Sequence, residues 1–75
     1  MARVLHLLPR PSAPLAAGAI RRDLEAGDEV VVAALVDAPV DPPLPDAVPV
    51  HRVPAEWSYE ALLEQIFAAD RVVTW

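Results

Sequence analysis

The chain contains no cysteine, no lysine and only two glycines, and aromatic residues make up 5% of its 75 positions. Without cysteine there is no disulfide, no thiolate nucleophile and no Cys-based zinc site. Its positive charge comes from six arginines against eleven acids, a net charge of -5 at pH 7. A nucleic-acid binder normally shows a basic footprint, so this balance argues against direct contact with nucleic acid. Long apolar runs are missing too. The opening stretch Val4 to Leu8 is too short for a signal peptide or a membrane span, and the expected location is the cytoplasm, away from membranes.

What is present is an apolar fraction of 55%, too high for a disordered chain. A single domain of this size lies near the lower limit for folding alone, burying about 60% of the surface its unfolded form exposes. With no disulfide to help, oligomerisation is the usual remaining support.

The order of elements reads strand, helix, strand, proline-rich loop, strand, helix, strand. Arg3 to Leu8 is an apolar run holding one histidine, as a strand covered on both faces requires, and Pro9 and Pro11 stop it. A helix is predicted from Pro14 to Ala26, with proline tolerated in its first turn and Ala16, Ile20 and Leu24 as its buried stripe. Gly27 stands where a left-handed residue ends a helix. The second strand is predicted over Glu29 to Val36. Asp37 to Pro49 then holds five prolines in thirteen residues, which excludes a helix. A third strand is predicted over Val48 to Val53. Ser58 is placed to cap a second helix, whose stripe is Tyr59, Leu62, Leu63, Ile66 and Phe67. Arg71 to Trp75 forms the last strand.

Alternating strands and helices predict an α/β fold: a small, mostly parallel four-stranded sheet with two main helices in a three-layer sandwich. With a proline loop in place of one crossover helix, part of one sheet face is expected to be thinly covered. An exposed apolar area of that kind marks a partner site.

The chemistry-bearing residues are few. The loop "LPRPSAPL" after the first strand has three prolines and no glycine, so it removes backbone donors that a phosphate cradle would present. Arg10 and Ser12 remain as possible anion contacts. His6 and His51 would approach one another only if their strands were neighbours and shared a face. Asp37, Asp41 and Asp46 read as solubilising acids, and Ser12, Ser58 and Thr74 lack a base to activate them. No catalytic, metal or cofactor site is expected. Trp57, before the second helix, suits a hydrophobic staple or a partner contact.

Three segments give the chain a resemblance to the DsrH/TusB family of the DsrE/F/H sulfur-relay proteins. "VLHLLPRPSAPL" at 4–15 resembles the family opening, "LEAGDEVVVAALVDA" at 24–38 its second strand, and "SYEALLEQIFAADRVVTW" at 58–75 its closing helix and strand ending in tryptophan. The resemblance implies a flavodoxin-like sandwich and a place in complexes that pass persulfide sulfur toward tRNA 2-thiouridine or sulfur oxidation. The chain departs from the family in lacking a helical segment before the last helix, and it has no cysteine to carry sulfur. What the resemblance leaves is a non-catalytic subunit in homo- or hetero-oligomers with related DsrE-like chains. The expected interface residues are Trp57, Tyr59, Phe67, Val73 and Trp75, with Arg10 at the rim. The alternatives are a reduced nucleotide- or sugar-binding Rossmann-like domain, since "RVLHLL" and "GDEVVV" also resemble a glycosyltransferase opening, and a scaffold unrelated to sulfur transfer.

Overall fold

The computed structural model describes residues 2–11, 13–41 and 43–75. The elements are β1 (Arg3–Leu8), α1 (Pro14–Glu25), β2 (Glu29–Ala34), β3 (Val50–Arg52), α2 (Tyr59–Ala68) and β4 (Arg71–Thr74). The four strands form one sheet in the order β3-β2-β1-β4, and every pairing is parallel. Pairing runs from Arg3 opposite Glu29 to Leu8 opposite Ala34, and from Val4 opposite Arg71 to Leu7 opposite Thr74.

Strand alternation sorts the core into two faces. On one, Leu8, Val30 and Val32 pack with Ala16 and Ile20 of α1. On the other, Leu5, Val31 and Ala33 pack with Leu62 of α2 and Val53. The protein is thus the expected α/β sandwich, with one helix to each side of a parallel sheet.

Both helices follow their local signals. Pro14 stands in the first turn of α1. At its other end Gly27 adopts φ +85°, its N–H reaching Leu24 O at 3.0 Å while Asp28 N–H reaches Asp23 O at 3.0 Å. That pair of bonds closes the helix and asks for a residue without a Cβ penalty. Ser58 caps α2 by accepting from the Ala61 N–H at 3.1 Å.

Two strands are shorter than the apolar runs suggest. β2 stops at Ala34, although Leu35 N–H still reaches Leu8 O at 2.8 Å. Beyond it the Arg52 guanidinium takes the Val36 and Ala38 carbonyls, at 3.0 and 2.8 Å, and turns the chain away. β3 starts at Val50 because Val48 N–H is spent on Pro45 O in a turn.

The expectation of a thinly covered sheet face is corrected. Val40, Leu44 and Val48 of the proline segment pack on the α1-side core, together with Trp75. The segment is also tied down: Asp41 N–H donates to Pro11 O at 2.8 Å and Ala13 N–H to Asp41 O at 3.0 Å. Prolines lack the N–H that a helix would need, so the segment covers the strands as irregular chain held by such bonds. The large exposed apolar side chains are chiefly on the outer faces of the helices: Leu15 on α1 and Tyr59, Leu63 and Phe67 on α2. No helix among the described residues is long and apolar enough to cross a membrane.

Replacing Gly27 with Ala places a Cβ at a left-handed position and is expected to destabilise the fold by roughly 1–2 kcal/mol. Urea unfolding measures this, and an unchanged midpoint would show that the turn relaxes without strain.

Candidate functional site

The most distinctive polar feature begins at His6. It stands mid-strand on β1, faces α1, and is 1% exposed. An imidazole buried to that degree needs partners for both nitrogens. The Trp75 indole Nε1–H reaches His6 Nδ1 at 3.0 Å. An indole N–H can only donate, so Nδ1 accepts and the ring proton sits on Nε2. From there Nε2–H donates to Asp23 Oδ2 at 2.8 Å, while Asp23 Oδ1 accepts from Arg71 Nη2 at 2.8 Å. The result is a relay of bonds, Trp75 to His6 to Asp23 from Arg71, joining β1, α1, β4 and the residue that follows β4. No buried side-chain nitrogen or oxygen among the described residues lacks a partner.

The electrostatics follow from the geometry. Burial alone would push the Asp23 carboxyl up. The hydrogen bonds from His6 and Arg71, with the positive charge of the Arg71 guanidinium, outweigh that effect and hold it below its ordinary value. Arg71 is 55% exposed, so its ion pair with Asp23 is a screened one of modest worth.

An aspartate oriented on a histidine is also half of a general-base device. Here the second ring nitrogen is taken by Trp75, and the ring has no open edge toward solvent. Among the described residues the candidate hydroxyls lie elsewhere: Ser58 caps α2, and Thr74 pairs opposite Leu7, on the sheet face away from His6, while Ser12 is outside the described residues. Among the described residues no cluster of three His, Asp or Glu side chains forms that could hold a metal. The arrangement acts as a clamp that fastens β4 and α1 onto β1.

Beside the clamp, beyond the carboxyl ends of β1 and β4, lies a cleft of about 150 Å³ lined by Pro9, Arg10, Ala13, Leu15 and Trp75. This is the place where open α/β sheets bind ligands, at the point where strand order reverses. Arg10 is exposed at its edge, and Ser12, its expected companion, lies outside the described residues. A second, shallow groove of about 410 Å³ runs along the proline segment between Val40 and Arg52.

The expected interface residues fall on two sides of the molecule. Arg10 and Trp75 share the cleft on the α1 side, and Val73 is half-buried opposite His6 on that side. Tyr59 and Phe67 stand exposed on α2. Trp57 packs against the α2-side core and stacks on His51 at 4.2 Å between ring centres. His6 and His51 do not meet, because β2 separates their strands and they face opposite layers. Asp37, Asp41 and Asp46 are exposed.

The residues that sequence reasoning passed over are Asp23 and Arg71. Asp23 lies three residues after Ile20 and seven after Ala16, so the helix stripe carries a charge where it meets the sheet. That placement was the available signal for a buried partner. Compared with protein-family models, with curated proteins and with solved structures, the chain matches none.

Two outcomes follow from the clamp. Trp75→Phe keeps the ring but removes its only donor, leaving His6 Nδ1 buried and unpaired, and is expected to lower stability by about 1–3 kcal/mol. Urea midpoints equal to those of the parent would show the bond to be idle. The lowered pKa of Asp23 stabilises the fold fully above the ordinary carboxylate range near ~4, and this contribution is lost as pH falls through the lowered value. Unfolding followed between neutral and acid pH is expected to show that loss, and Asp23→Asn to lack it. An acid slope unchanged in the variant would assign it to other carboxylates.

Proposed function

We propose that this chain is a non-catalytic assembly subunit, of the DsrH/TusB kind that its sequence resembles, whose work is to bind another α/β chain. The observation that carries the reading is the outer face of α2, where Phe67 is 81%, Tyr59 68% and Leu63 51% exposed. These three recur every fourth residue and form a ridge beside the buried contact Leu62. Large apolar side chains grouped on one helix face, with the core already closed beneath them, suit a partner surface better than a ligand pocket. The sulfur-relay setting comes from the resemblance. In it a chain without cysteine cannot hold a persulfide, so its part is to position a cysteine-bearing, DsrE-like subunit.

The strand order favours a second reading. β3-β2-β1-β4 is the order at the start of doubly wound dinucleotide-binding sheets, and the cleft lies at their usual binding point. That reading makes the chain a reduced nucleotide- or sugar-binding domain. Against it stand the glycine-free loop after β1 and the Trp75 ring lining the cleft.

Capture from a lysate of the source cells tests the first reading. The tagged chain is expected to retain a cysteine-bearing α/β protein, and Phe67→Glu to lose it while keeping the parent's circular dichroism, because the side chain is exposed on its own fold. Equal capture by parent and variant, or capture of no such protein by either, would overturn it.

A further inference from the structure

The two helices present unlike outer faces, on opposite sides of the sheet. The exposed ridge of α2, Tyr59, Leu63 and Phe67, is bordered on one side by Glu60 and Glu64, and the helix contains no basic residue. The outer face of α1 carries the exposed Leu15, Gly18, Arg21, Arg22 and Glu25, with two positive charges against one negative. Neither of these arginines forms a salt bridge among the described residues.

Gly18 adds a third observation. It has no positive φ, and a Cβ built on it would meet nothing within 4 Å. Glycine within a helix costs about 1 kcal/mol relative to alanine. Nothing among the described residues requires it, whereas a bare backbone on an exposed face lets another helix approach closely.

We propose that the outer face of α2 docks on the outer face of α1 in a second copy of this chain, head to tail. In this contact Leu63 and Phe67 lie against Leu15 and the bare backbone at Gly18, and Glu60 and Glu64 face Arg21 and Arg22. Of the two symmetric alternatives, α2 on α2 is opposed by charge, since it sets Glu60 and Glu64 against their own copies, and α1 on α1 leaves the apolar ridge of α2 uncovered. Because the faces lie on opposite sides of one sheet, each copy can use both at once. The assembly therefore passes beyond a dimer, as a ring if its rotation closes and as an open stack if it does not. This rests on the reading of the chain as an assembly subunit, and names the chain itself as one of its partners.

Charge reversal tests it, read by light scattering over a concentration series. The parent is expected to grow in mass beyond a dimer. Arg21→Glu with Arg22→Glu, and separately Glu60→Arg with Glu64→Arg, are each expected to run at the single-chain mass of 8.1 kDa. An equimolar mixture of the two variants is expected to regain the parent mass, since each then offers the face that the other lacks. All four positions are exposed on helices, and circular dichroism confirms that the variants fold. A parent that stays at 8.1 kDa even at millimolar concentration would overturn the proposal. So would a dimer that only the α2 reversal dissolves, or a mixture that fails to reassemble. A monomeric parent that still captures a cysteine-bearing partner would sink the head-to-tail contact alone. Assembly without such capture would sink the relay role alone.

Discussion

A histidine with no access to water, in the middle of the central strand, sets the terms for much of this structure. Two polar nitrogens inside a core of valines, leucines and alanines must both be bonded, and burial without partners would cost more than the fold could spare. Trp75 and Asp23 meet that demand from opposite directions, and each comes from a different element. Satisfying one side chain therefore fixes the position of α1 over β1 and of the chain leaving β4. Asp23 then holds Arg71 at the sheet edge, so the same relay also secures the first residue of β4.

Closing the core in this way changes where a partner can act. With the proline segment and Trp75 covering the α1 side of the sheet, and α2 and Trp57 covering the other, β1 and β2 are shielded by the chain's own residues. The apolar surface left over is carried largely by helices, on outer faces that a three-layer sandwich has no further layer to cover. The outer face of α2 presents Leu63 and Phe67 to water beside two glutamates, and that of α1 presents Leu15 and Gly18 beside two arginines that form no salt bridge among the described residues; the proposed contact matches one face to the other.

Much of the fold was legible in the sequence. β1 ends where Pro9 follows, Pro14 opens α1, Gly27 closes it and Ser58 opens α2, because each of these is a local rule with a backbone cause. The limits of β2 and β3 were not legible. An apolar run such as Glu29 to Val36 records burial, not pairing, and the pairing stops where Arg52 draws the Val36 and Ala38 carbonyls out of line. The sheet cover was misread for a related reason: a proline-rich segment shows no periodicity, so its buried Val48 and partly buried Val40 and Leu44 give no stripe to find. In the polar relay, His6 could be noticed as a histidine within a strand. Its partners lie 17 and 69 positions away, and only the seating of α1 on β1 and the alignment of β4 beside it bring them together.

If the relay organises the fold, the proton on His6 must be on the nitrogen that faces Asp23. Long-range proton–nitrogen NMR correlation on the ¹⁵N-labelled protein at neutral pH reads this directly. The expected result is a protonated Nε2 and a bare, hydrogen-bonded Nδ1, with the Trp75 indole proton shifted downfield by its bond. A protonated Nδ1, or a Trp75 indole proton that exchanges as freely as one in water, would contradict it.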